Sequence, residues 1–159
     1  MYRGLRVVFE VIWRAALLLD DLTIARKVLA ERSANIVVVR DGMILFTGWS
    51  KGLRDLAKIT LESPGILYGS SIADRIVGKA AAIIFTVNGV KAVYALTLSK
   101  HALRELEKSR IEFHYERLVS HIEGPSEGIC PFEKLVMDII DYNEAYRRLI
   151  ERFRELGWG

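Results

Sequence analysis

The run Ala92-Val93-Tyr94-Ala95-Leu96-Thr97-Leu98 constrains this chain more than any other stretch. It carries no charge and is almost wholly apolar, and Ser99, a helix-capping residue type, follows it. A half-exposed strand alternates apolar and polar residues, so a continuous run reads as a strand covered on both faces. Helical spacing then leads from Ser99 to Lys108, and Ile111-Glu112-Phe113-His114-Tyr115 alternates as a half-exposed strand does. A strand–helix–strand unit of this kind joins its strands in parallel by a right-handed crossover. The chain therefore belongs to the α/β class.

The remaining segments supply the partners. Val11, Ala15, Leu18, Leu22, Ala25 and Leu29 recur at spacings of four and three, one face of a helix. That helix runs unbroken over about 8–32 or restarts at Asp20-Asp21, which are good caps. Residues 35–39 and 43–47 read as strands, with Asp41-Gly42 between them as a hairpin turn. Residues 52–61 form a short helix closed by Pro64-Gly65, and 72–87 reads as a second main helix rich in small residues. A Gly/Pro/Ser loop over 124–128 leads to Cys130-Pro131, and helices run to about 156. These elements predict a three-layer α/β/α sandwich with a mixed sheet. The expected division is an N-terminal helical extension over 1–20, a domain over 21–146, and a C-terminal helix over 147–159 in the same globular unit.

Composition excludes several classes. At 159 residues and 51% hydrophobic, the chain can bury one complete core. A single cysteine, Cys130, rules out an internal disulfide framework. The net charge of +3 comes from 23 basic and 20 acidic residues, too even a balance to argue for nucleic acid. Glutamine is absent, asparagine is confined to Asn35, Asn88 and Asn143, and arginine outnumbers lysine, a composition that suits a thermophile. The apolar stretch over 7–19 is interrupted by Glu10 and Arg14, so it makes neither a membrane span nor a signal core. A cytoplasmic location without membrane contact is expected.

Three blocks carry a family resemblance: Ala73-Asp74-Arg75-Ile76-Val77-Gly78-Lys79-Ala80-Ala81-Ala82, then Val90-Lys91-Ala92-Val93-Tyr94-Ala95, then Cys130-Pro131-Phe132-Glu133-Lys134. Together they resemble a family of small prokaryotic proteins of unknown function with a cytidine-deaminase-like fold, over roughly 21–146. Active members of the wider fold hold zinc through an H-x-E motif and a P-C-x-x-C motif. The resemblance places the first motif near Val77-Gly78-Lys79 and the second near Ser99-Lys100-His101, and neither offers a matching set. Cys130-Pro131 inverts the order, has no partner cysteine and lies in another segment. The resemblance thus implies a zinc-free relative, not a zinc-dependent deaminase, with no cofactor. His114 and His121 read as separate surface histidines.

The residues that remain as candidates cluster around the same segment. The resemblance puts Lys79 near the position of a deaminase metal, where an ammonium beside a helix start suits a carboxylate or phosphate; the competing role is a lysine packing its stem beside small residues. Asp74 stands three residues after Ser71, a capping pattern that competes with a ligand or proton-transfer role. Ser70 and Ser71 offer hydroxyls and N–H groups to an anion. Cys130 at a helix start is a candidate nucleophile opposed by nearby Glu133, and also reads as a buried small hydrophobe. His101 is a candidate base without a partner. Residues 144–155 mix charge signs at helical spacing, the mark of a solvated, ion-paired face.

The leading expectation is a domain binding a small anionic or nucleotide-like ligand, its site centred on Asp74, Gly78 and Lys79 with Cys130 and Glu133 at the rim. The alternatives are an enzyme using Cys130 or Lys79 covalently, with Asp74 a further catalytic candidate, and an oligomeric scaffold without a ligand. The long apolar stripe before Asp20 predicts a homodimer.

Overall fold

A computed structural model describes residues 19–159. Positions 1–18, with most of the expected N-terminal extension and the choice between one helix and two, lie outside the described residues. The elements run α1 (Asp21–Glu31), β1 (Ile36–Arg40), β2 (Met43–Gly48), α2 (Arg54–Glu62), a 3-10 turn (Pro64–Ile66), β3 (Ser71–Val77), α3 (Lys79–Val87), β4 (Ala92–Ser99), α4 (Lys100–Lys108), β5 (Glu112–Val119), α5 (Pro131–Val136) and α6 (Tyr142–Glu155).

Capping chemistry fixes where these elements begin. The Asp20 carboxylate accepts the Thr23 N–H at 2.7 Å to open α1, and the Ser99 hydroxyl accepts the Ala102 N–H at 3.0 Å to open α4. Asp41 and Gly42 sit at φ of 52° and 75°, the left-handed pair that a tight two-residue hairpin requires. The Asp21 carboxylate accepts both of their N–H groups, at 2.9 and 2.8 Å, which pins α1 to the hairpin.

The five strands form one mixed sheet in the order β2-β1-β3-β4-β5. β1 is antiparallel to β2 and β3, whereas β3, β4 and β5 run parallel. α1 covers one face, where Leu22, Ala25 and Leu29 pack on Val37, Val39, Ala73 and Tyr94. The other helices pack on the opposite face around α3, whose residues from Lys79 to Phe85 are all buried. Ala145, Leu149 and Phe153 of α6 join that core. Among the described residues no helix is long and apolar enough to cross a membrane.

One expected element is corrected. Residues 72–87 do not form a single helix: β3 occupies Ser71–Val77 and α3 starts only at Lys79. β3 lies between β1 and β4, so its backbone groups find partners on both sides, and its apolar residues meet a helix layer on each face. Gly78, extended at φ −99° and ψ −179°, is the joint between strand and helix. The capping pattern assigned to Ser71 and Asp74 is overturned with it, because both residues are in the strand.

Candidate functional site

The site is organised by two helix starts. β3 and β4 are parallel neighbours, so α3 and α4 both begin at the same edge of the sheet. Between their first turns lies the carboxylate of Glu133, only 1% exposed. Its Oε1 accepts the Lys79 N–H at 3.0 Å and the Ser99 hydroxyl, and its Oε2 accepts the Ile122 N–H at 2.6 Å. One side chain from α5 therefore joins the β3–α3 turn, the β4–α4 turn and the segment after β5. Gly78 is required by this close approach: a Cβ there would stand 2.9 Å from Ile122 Cγ1 and 3.2 Å from Glu133 Oε1.

Above this junction opens a cavity of about 500 Å³. Ile76 and Gly78 form part of its wall, with Leu53 from the segment before α2, Ile122 and Pro125 from the loop after β5, and Cys130 and Phe132 at the start of α5. Leu156 and Trp158 close it from the end of the chain, and Lys51, Arg152, Glu123 and Glu133 supply its charged groups. Phe132 and Trp158 pack with ring centres 5.2 Å apart, and the Arg54 guanidinium lies 5.5 Å from the centre of the Trp158 ring.

Lys79 points elsewhere. Its side chain is nearly buried, and Nζ donates to the carbonyls of Met137 at 2.8 Å and Ile139 at 3.2 Å, with Glu105 Oε1 at 3.8 Å. The ammonium thus neutralises a helix C-terminus and a buried carboxylate. Glu105 also accepts the Tyr142 hydroxyl at 2.7 Å, and burial with that hydrogen bond pushes the Tyr142 phenol up to about 12. These groups border a second cavity of about 400 Å³, on the other side of α5.

The other sequence candidates scatter. Ser70 and Ser71 are buried at the far end of β3 from Gly78, about 20 Å away along the strand. Ser70 spends its hydroxyl on the Leu67 carbonyl. Asp74 lies mid-strand, outside the wall of the larger cavity, and its Oδ1 accepts the Ile76 N–H at 3.0 Å. Burial pushes its carboxyl up to about 7, against the pull of that N–H, and the nearby Asp55 carboxylate adds to the rise. Cys130 is half-buried in the cavity wall. His101 faces the second cavity, while His114 and His121 pair with Glu112 and Glu123.

Gly78, Cys130 and Glu133 are therefore brought together, Lys79 joins them only through its backbone N–H, and Asp74, Ser70 and Ser71 do not. The sequence reading did not name Ile76, Phe132 and Trp158 as site residues: the first two stood in the blocks that carry the resemblance, and Trp158 had no signal beyond its apolar ring. The residues at the junction do not fit zinc. Among the described residues no three His, Cys, Asp or Glu side chains gather as ligands, and the Glu133 oxygens already accept three hydrogen bonds.

Fold and cavity define a mixed α/β protein with an apolar cleft beyond the carboxyl end of a parallel strand. The chain belongs to the TM1506 family, a domain of unknown function (DUF1893), whose model matches residues 24–153. It is similar to the crystal structure of a DUF1893 family protein (TM1506) from Thermotoga maritima, at 27% identity and a TM-score of 0.76, over 84% of this chain and 90% of that one. No curated protein matches.

Proposed function

We propose that this chain is a zinc-free, cytidine-deaminase-like domain that binds a small nucleotide-like ligand in the larger cavity. The observation that carries the reading is that cavity itself, about 500 Å³ at the end of β3, where open α/β sheets gather their ligands. The cytidine-deaminase-like assignment is supported by the convergence of the α3 and α4 starts, the two places where the family resemblance puts the metal motifs. A carboxylate of the chain's own stands between them.

The walls suggest the ligand's chemistry. Ile76, Leu53, Phe132 and Trp158 suit the faces of a planar ring, and Lys51 and Arg152 suit an anionic group at the mouth. At the helix starts themselves Glu133 already occupies the Lys79 N–H and the Ser99 hydroxyl.

Cys130 gives the test, since it is the single thiol and lines this wall. Alkylation of Cys130 by iodoacetamide should slow in the presence of AMP or CMP, and less so with adenosine or cytidine. Ile76→Trp, which fills the cavity, should abolish the protection, and Lys51→Gln with Arg152→Gln should weaken the nucleotides by about 10-fold or more while sparing the nucleosides. Alkylation rates indifferent to all four compounds would refute the reading.

A further inference from the structure

We infer that the smaller cavity is a second ligand site, one that takes a phosphate or similar multiply charged anionic group between His101, Arg104 and Lys108. This does not depend on what fills the larger cavity.

His101, Arg104 and Lys108 stand three and four residues apart, so they share one face of α4 and line the cavity together. Cations one turn apart on a helix repel each other, and a bound anion reverses the sign of that interaction. None of the three has an ion-pair partner among the described residues, whereas several exposed arginines elsewhere do. On α6, Arg147, Arg148 and Arg152 each have a glutamate within 2.7–3.6 Å. These three side chains thus line one cavity without an acidic partner of their own.

The rest of the wall adds to the charge. Lys79 contributes a nearly buried ammonium, and the only acidic lining residue, Glu105, is already engaged by Lys79 and by the Tyr142 hydroxyl. Lys79, Arg104 and Lys108 against Glu105 leave the wall with an excess of two positive charges before His101 is counted. At about 400 Å³ the space exceeds one phosphate, and Met137, Ile139 and Ile140 offer an apolar side. Ile140, 94% exposed at the edge, is what the apolar remainder of a ligand would cover. The fit is to a small phosphorylated or polycarboxylated molecule.

The test uses the full chain labelled with nitrogen-15 at constant ionic strength, titrated in turn with inorganic phosphate, citrate and chloride. The expected result is a saturable shift of the α4 and Tyr142 amides with phosphate or citrate, at least 10-fold weaker in the double variant Arg104→Gln, Lys108→Gln. Phosphate alone acting would identify a phosphate site, and citrate alone a carboxylate site. Both substitutions are at exposed positions, so folding is expected to survive, and unchanged amide dispersion would verify it. No saturable response to either anion, an equal response to chloride, or a response that the double variant retains would each overturn the inference.

Discussion

Truncating Glu133 to alanine removes an acceptor that three segments share. The Lys79 N–H, the Ser99 hydroxyl and the Ile122 N–H would all lose their partner in a place where the carboxylate is 1% exposed. Leaving one buried donor unpaired costs about 1–3 kcal/mol, so the upper bound for three is about 9 kcal/mol. Water entering from the adjoining cavity would satisfy part of that set, which brings the expected loss to about 3–5 kcal/mol, the range for breaking a buried charged cluster. Glu133→Gln keeps the shape and one acceptor oxygen but sets an amide N–H₂ against a donor, for an expected loss of about 1–3 kcal/mol. Urea unfolding followed by circular dichroism at pH 7 measures both, with the midpoint moving and the slope unchanged. Formate added to Glu133→Ala should recover part of the loss by refilling the junction. A glutamine variant as stable as the parent, or an alanine variant within about 1 kcal/mol of it, would refute the assignment of Glu133 as the central tie.

Asp74 should make stability depend on pH. Its folded pKa of about 7 lies above the unfolded value near 3.8, so the folded state keeps a proton that the unfolded chain releases between them. Stability therefore falls as pH rises through that window, by at most about 1.4 kcal/mol per pH unit. Asp74→Asn should flatten the slope and exceed the parent at pH 8; parallel urea midpoints for the two proteins from pH 4 to 8 would count against this. Lys79→Met strips the Met137 and Ile139 carbonyls of their donor and leaves Glu105 without its cation, for an expected loss of about 2–4 kcal/mol. Nucleotide protection of Cys130 should be unchanged in Lys79→Met, and selective loss of that protection without loss of stability would restore Lys79 as a ligand contact.

Local chemistry made much of the fold legible. The uncharged run of β4, the Ser99 cap, the Asp41-Gly42 turn and the Cys130-Pro131 helix start all act through the nearest few residues, so each reads directly from sequence. Residues 71–87 were not legible, and the reason is physical. Ile72, Ala73, Ile76, Val77, Ala80, Ala81 and Ile84 recur at helical spacing across the whole stretch. A strand buried on both faces followed by a helix buried all round produces the same pattern, because neither alternates with polar residues. Only Gly78 marked the boundary, and its meaning depends on Ile122 and Glu133, which are 44 and 55 residues further along.

The candidate site shows the same division between near and far. Reading from sequence centred on Asp74, Gly78 and Lys79 because helix starts where strands end collect anions. That attraction operates here, but the anion it collects is the Glu133 side chain, held by backbone and hydroxyl donors from three segments. Glu133 takes the Lys79 N–H, and the Lys79 side chain turns away to the carbonyls beyond α5. The cavity wall is made by what surrounds the junction: Lys51 and Leu53 before α2, Ile122 and Pro125 after β5, and Arg152 and Trp158 near the end of the chain. These residues come from loops, the last helix and the segment after it, with no common periodicity, so no pattern in the sequence joins them. Lys51, Leu53, Pro125, Arg152 and Trp158 make no hydrogen bond to Glu133, so these walls can change without loosening the tie that holds the three segments together.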